Sequence, residues 1–125
     1  MVSRRAGAMS KPLPTKLTVP LYNQISEKVF TAQIIRMAQM FGWMTAHFRP
    51  GKQGSRYVTA VQGDGVGFPD LVLIKPGRVI FSELKSEKGR LTPGQSHWLD
   101  VAKAAGVEAY VWRPSMINEI ERQLR

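Results

Sequence analysis

The spacing of apolar residues changes period several times along the chain, and each change marks an element. From about Leu21 to Phe41 the period is helical. On a wheel Ile25, Val29, Phe30, Ile34, Met37, Met40 and Phe41 cover about half the circumference, a face wide enough to pack on a sheet. Gln33 falls inside that arc, where an amide bonded to backbone is the plain structural role. Glu27 falls at its edge, where an acid in the first turn complements the helix dipole. Gly42 closes the helix, and Trp43 to Phe48 alternates as a first strand on which His47 reads as a surface or edge residue. A long glycine-rich connection follows over residues 49–68, RPGKQGSRYVTAVQGDGVGF.

Residues Asp70 to Lys85, DLVLIKPGRVIFSELK, are two apolar arms joined at Pro76-Gly77, the pattern of a β-hairpin. Thr92, Pro93 and Gln95 then spell a capping box at the start of a helix. Trp98, Leu99, Ala102 and Ala105 form that helix's buried side, and Gly106 ends it. Val107 to Trp112 is a fourth strand, and Met116 to Arg125 is a terminal helix with Ile117, Ile120 and Leu124 inward. The order helix, three strands, helix, strand, helix is an α/β fold with a mixed central sheet flanked by helices. Its strand–helix–strand passage implies a right-handed crossover that sets the last strand parallel to a neighbour of the strand bearing Glu83.

The hairpin carries the candidate chemistry. If Lys75 pairs with Arg78 across a two-residue turn, the pairing runs back along both arms and sets Asp70 opposite Glu83. Two carboxylates about 5 Å apart at Cβ oppose ordinary sheet logic, and a divalent cation would reconcile them. Lys85 shares their face, because strand side chains alternate. Pro-Gly favours a type II turn rather than the primed turns of tight hairpins, so a bulge would slip the register and move Asp70 to the other face. Asp70 and Glu83 suit Mg²⁺, with the Leu84 carbonyl as a further oxygen and Lys85 beside the attacking water or the phosphate. The same spacing serves an exposed ion pair at a strand end equally well.

Charge narrows the partner. The 125 residues hold 18 Lys and Arg against 9 Asp and Glu, a formal charge of +9, so a polyanion is the expected partner. No apolar run approaches the roughly 20 residues that span a bilayer, and no basic amphipathic helix stands out, which favours nucleic acid over a membrane. With no cysteine, disulfides and thiolate zinc sites are excluded. The opening residues lack the apolar stretch of a secretory signal, so an intracellular, bacterial or phage-type protein is expected.

Residues 1–20 form an expected flexible basic arm, leaving 21–125 as one domain. In the connection, Lys52 and Arg56 are candidates for phosphate contact, with Tyr57 available for stacking. Lys88 and Arg90 occupy the loop beyond Lys85. Gln95 is explained by its capping role, and its place also allows DNA contact. GDGVG is not a phosphate loop, because no Lys-Ser/Thr follows and the next element is a strand. Its glycines instead let the chain turn before Pro69-Asp70 and admit a substrate strand closely.

Pro69-Asp70, followed after an apolar hairpin by Glu83-Leu84-Lys85, resembles the PD-(D/E)xK nuclease signature. Four blocks in order, SEKVFTAQIIRMAQMFGW, GVGFPDLVL, FSELKSEKGRLTPGQSHWL and GVEAYVWRP, resemble the VRR-NUC family within that superfamily, from Ser26 to Pro114. The resemblance implies a restriction-endonuclease-like core and a Mg²⁺- or Mn²⁺-dependent DNA endonuclease. It carries over Asp70 and Glu83 as metal ligands and Lys85 as the catalytic lysine, adds Glu27 as a catalytic and metal-site acid, and promotes Gln33 and Gln95 to site or DNA contacts. Free-standing small members are similar to Holliday-junction resolvases, which implies branched DNA and a homodimer. Met37, Met40, Trp43 and the terminal helix are the candidate apolar surface for that pairing. A nuclease of simple duplex or single strands, or an inactive nucleic-acid-binding module of the same fold, are the alternatives.

Overall fold

The computed structural model describes residues 19–48, 51–53, 56–58 and 61–125. The expected basic arm lies outside the described residues up to residue 18. Its last two residues instead open a one-turn helix, α1 (Val19–Tyr22), where a proline in a first turn sacrifices no hydrogen bond. Ser26 then caps the main first helix, α2 (Glu27–Met40), its Oγ accepting from the Val29 amide at 3.1 Å. That helix begins at Glu27 rather than near Leu21, and the later start narrows its inward face to Phe30, Thr31, Ile34 and Ala38. Val29 and Met40, expected inward, are 53% and 79% exposed, and Gln33 is exposed with them.

After β1 (Met44–His47), the connection expected to be without structure contains a small hairpin, β2 (Gly51–Gln53) paired antiparallel with β3 (Arg56–Val58). Three-residue arms are too short to show a period, so their alternation does not register. The long hairpin comes next as β4 (Leu71–Lys75) and β5 (Arg78–Leu84), and after it α3 (Pro93–Ala104) and β6 (Glu108–Trp112). A 3₁₀ turn at Pro114–Met116 leads into α4 (Ile117–Leu124).

One mixed sheet, in the order β1-β4-β5-β6, organises the molecule, with only the β5–β6 pair parallel. The last strand therefore lies directly beside the strand of Glu83, rather than beside a neighbour of it. Alternation along the strands sends side chains to two helical layers. Leu71, Leu73, Ile80, Leu84 and Trp112 meet Phe30, Ile34 and Ala38 of α2 and Ile120 and Leu124 of α4. On the other face, Phe81, Ala109 and Val111 meet Leu99 and Ala102 of α3. This double covering forbids a one-residue slip of β5, because every apolar side chain would exchange layers.

The turn end of the long hairpin is tied to both ends of the second half of the chain. Arg78 donates to both oxygens of Glu108, at 2.8 and 2.6 Å, and to the Gln123 carbonyl at 2.8 Å, while its guanidinium lies over the Trp43 ring. The arginine holds the Glu108 carboxyl below the usual range. Trp43 is 3% exposed and its Nε1 donates to the Leu124 carbonyl at 2.8 Å. It therefore belongs to the core and is not free to form an intermolecular surface.

Ile120 and Leu124 are both fully buried, which makes α4 a wall of the main core. Replacing Ile120 with Ala should lower stability by about 2–5 kcal/mol in urea denaturation, the range for an emptied aliphatic core position. A loss no larger than that of a surface substitution would place α4 outside the cooperative core.

Candidate active site

The register of β4 and β5 decides the site. Lys75 pairs with Arg78 and Leu71 with Ser82, without a bulge, so the position before Leu71 faces the one after Ser82. Asp70 therefore stands opposite Glu83. The turn achieves this with Gly77 at φ 84°, the positive value that the third position of a type II turn requires. Asp70 is held firmly: Pro69 before it is fully buried, its carbonyl accepts from the Phe48 amide at 2.8 Å, and its Oδ2 accepts from the Leu84 amide at 3.3 Å.

Glu83 is a charged side chain placed in a core, with only 1% of its surface exposed. Burial pushes its carboxyl up to about 9, the neighbouring Asp70 pushes the same way, and Lys85 opposes them. Lys85 Nζ lies 3.9 Å from Glu83 Oε2, too far for a hydrogen bond, with its side chain 14% exposed. Glu83 Oε2 instead accepts from Gln95 Nε2 at 3.0 Å, whereas buried Oε1 has no partner.

Gln95 has two duties. Its Oε1 accepts from the Thr92 amide at 2.9 Å while its own amide donates to Thr92 Oγ1, the capping box read from sequence. With Oε1 so engaged, Nε2 must point toward the sheet. The helix start is brought close enough by glycines: a Cβ on Gly67, whose φ is 90°, would lie 2.7 Å from the Gly94 carbonyl carbon. At Gly67 the backbone that approaches the glycine-rich loop is that of the start of α3.

Other expected residues divide into near and far. Glu27 lines a cavity of about 390 Å³ with Lys28, Thr31, His47, Phe48 and Asp70, so the first-helix acid and the hairpin acid open onto one space. His47, read as incidental, is a wall of that cavity. Its position on a strand carries no signal of this, because the α2 residues opposite come from a distant part of the chain. Lys88 and Arg90 are exposed beside Lys85. Gln33 is not brought to the acids: it lines a separate groove between α2 and α4, with Met37, Met40, Glu121 and Arg125. The apolar arc of α2 covers this groove as well as the sheet, because Val29, Met37, Met40 and Phe41 line the groove while Phe30, Ile34 and Ala38 face the core. Lys52 and Arg56 sit on β2 and β3, and their side chains lie outside the described residues.

Comparison with known families now has a structure to meet. The family model of the VRR-NUC domain matches residues 24–116, spanning α2, the whole sheet and α3. The chain belongs to the VRR-NUC family. Its mixed α/β architecture is that of a VRR-NUC nuclease fold, and membership points to a nuclease acting on DNA. No curated protein and no solved structure matches the chain. Among the described residues, no helix is long and apolar enough to cross a membrane.

The residues present fit a hard divalent ion. Among the described residues no three acidic or histidine side chains gather as a ready cage. Two carboxylates set opposite each other across a strand pair are nonetheless oxygen donors of the kind Mg²⁺ uses when further oxygens and water complete its shell. The unpartnered, buried Glu83 Oε1 is the structural observation in favour. Buried as a carboxylate it calls for a proton or a cation, and the burial that raises its pKa favours the proton in metal-free protein.

This has a pH consequence for the VRR-NUC site. Between about 4.5 and about 9, folded Glu83 keeps a proton that unfolded Glu83 has lost, so its contribution to stability is full below that window and falls as pH rises through it. In chelator-treated protein, Glu83→Gln should therefore be increasingly more stable than wild type from pH 5 to pH 9, read as the difference in thermal midpoints (pH range as above). A pH-independent difference would mean that Glu83 ionises normally.

Proposed function

We propose that this VRR-NUC protein is a metal-dependent endonuclease that hydrolyses phosphodiester bonds in branched DNA, with Asp70, Glu83 and Lys85 as its catalytic group. The observation that carries the reading is the pair of acids set face to face by the hairpin, one of them buried with an unpartnered oxygen, with a half-buried lysine beside them. A binding-only module gains nothing from two carboxylates facing a phosphate backbone.

Asp70 and Glu83, with the Leu84 carbonyl, would hold Mg²⁺ or Mn²⁺. Bound there, the ion would neutralise charge on the phosphoryl and leaving oxygens and make a water more acidic. The chain's own residues do the rest. Gln95 fixes the orientation of Glu83 through Oε2, leaving Oε1 free toward a ligand. Lys85 brings a cationic ammonium beside the acids, where it orients the attacking water and stabilises charge on the phosphate in the transition state. Glu27, on the wall shared with Asp70, adds a carboxylate for ligand or water. Exposed Lys88 and Arg90 take backbone phosphates, and the excess of 18 basic over 9 acidic residues draws the duplex in.

The likeness of small family members to junction resolvases supports four-way junctions as the substrate. Two symmetric cuts then need two copies of the site, hence a two-fold dimer. The groove between α2 and α4, with exposed Met40, is the apolar surface that remains for it once Trp43 is assigned to the core.

Purified protein should cut a four-way junction faster than a flap or linear duplex, and only with Mg²⁺ or Mn²⁺. Asp70→Asn and Lys85→Ala should each lower the rate by at least about 10²-fold, with junction binding in gel shift changed little. Equal cutting of linear duplex would remove the branched-DNA assignment. Normal cutting by either variant would remove the site assignment.

A further inference from the structure

The most heavily hydrogen-bonded arginine near the site is one that no step above uses. Strands β5 and β6 end together, at Leu84 and Trp112, and their last bond runs from the Lys85 amide to the Trp112 carbonyl at 3.0 Å. Beyond it the chain from Lys85 enters a tight turn, closed by the Gly89 amide donating to the Ser86 carbonyl at 3.1 Å. Arg113, the first residue after β6, reaches into this turn. Its Nη1 donates to three carbonyls, those of Ser86, Glu87 and Gly89, at 2.8, 3.2 and 2.7 Å. The grip is reciprocal, because the Glu87 carboxylate accepts from the Ser115 amide at 3.0 Å and the Ser115 hydroxyl at 2.6 Å.

The turn so held folds back on the catalytic lysine. A Cβ built on Gly89 would lie 3.5 Å from Lys85 Cδ and 3.0 Å from Ser86 Oγ, so the lysine's stem lies on the side of Gly89 where a side chain would point. Lys85 itself makes no direct hydrogen bond to Glu83, at 3.9 Å. Among the described residues no hydrogen bond fixes the ammonium end, so its aim depends on what confines the stem and backbone. Those constraints are the ladder bond to Trp112 on one side and the Arg113-held turn on the other. A turn needing only stability could use a solvent-facing side chain, whereas here one guanidinium nitrogen is directed at three carbonyls of a segment touching the reactive lysine.

We propose that Arg113 is a positioning residue for the nuclease reaction: by clamping the turn at residues 86–89 it fixes the backbone that leaves Lys85 and the space beside the lysine's stem, and so aims the ammonium at the Asp70–Glu83 site. This rests on the nuclease reading given above. Arg113 touches neither substrate nor metal. Arg113 itself binds no DNA, so loss of the clamp falls mainly on the chemical step, with a smaller effect on binding through Lys88, which the turn carries. Lys88 and Arg90, carried at the turn and just past it, act on binding instead.

The test compares steady-state cleavage by wild type, Arg113→Ala, Arg113→Lys, Glu87→Gln and the double variant Lys88→Ala/Arg90→Ala, with and without added guanidinium ion at sub-denaturing concentration. Arg113→Ala should lose roughly tenfold to a hundredfold in kcat, the scale for misplacing a reacting group by an ångström, with KM within about twofold. Guanidinium should restore part of the lost kcat, because it refills the same carbonyl nest. Arg113→Lys, whose ammonium also offers three donors from one nitrogen, should keep part of the kcat that Arg113→Ala loses. Lys88→Ala/Arg90→Ala should raise KM and show no rescue. Amide hydrogen exchange at Lys85 and Gly89 should quicken in Arg113→Ala and slow again with guanidinium, a readout independent of cleavage. If Arg113→Ala does not fold, Glu87→Gln, which loosens the turn from Ser115 alone, should still lower kcat at constant KM; unchanged kcat in it would overturn the proposal. Wild-type kcat in Arg113→Ala, or a loss confined to KM and insensitive to guanidinium, would overturn it equally. If wild type itself cuts no DNA, the nuclease reading falls and this one with it. If wild type cuts and the Arg113 variant cuts as well, only this one falls.

Discussion

Two carboxylates forced together across a strand pair are the constraint around which the molecule is built. A two-residue turn fixes Asp70 against Glu83, and burial of both faces of β5 removes the slip that would separate them. The repulsion cannot be relieved by moving, so it is relieved by chemistry, through a proton at Glu83 or an ion between the acids. The fold thereby accepts a local loss of stability at one end of its central hairpin. Such a locally unfavourable group, held by a structure that is stable elsewhere, is what a preorganised catalytic site requires.

The stabilising contacts lie at the other end. Arg78, two cation–ring contacts on Trp43 and the bond from Trp43 to the Leu124 carbonyl tie the hairpin turn to β6 and to the terminal helix. Trp112, fully buried between the layers, adds a bond from Nε1 to Gln123 at 2.8 Å and stacks on Tyr110. Rigid packing at the turn end and uncompensated charge at the open end are linked by the same two strands. Whatever fixes the register at Lys75 and Arg78 also fixes the distance between the acids.

Around the acids the chain repeats one device, in which a residue that terminates an element also orients a functional side chain. Gln95 caps α3 with one atom and holds Glu83 with another. Asp70 ends its loop and takes the Leu84 amide that begins the exit from β5. Arg113 ends β6 and grips the turn that follows Lys85. Side chains on element ends are held by the helix or strand behind them while facing open space, so they combine precision with access to a large polyanion.

How much of this was legible in the chain follows from the range of each interaction. The order of the main elements and the capping box at Thr92 and Gln95 are local, and the sequence by itself determined them, whereas the pairing of Asp70 with Glu83 was offered by the turn and fixed against a slip only by packing on both faces of β5. The small hairpin at residues 51–58 is local too, but its arms are too short for a period to show. The start of α2 escaped because a helical period from Leu21 does not reveal that Ser26 caps the helix, and the facing of Gln33, Val29 and Met40 escaped because apolar spacing does not tell a groove against α4 from the face on the sheet. Only the tertiary structure decided that Trp43 is core, that His47 shares a cavity with Glu27 and Asp70, and that Arg113 reaches the turn after Lys85. Each of those depends on segments far apart in the chain meeting across the sheet, and no spacing along a single sequence encodes where a distant backbone carbonyl will lie.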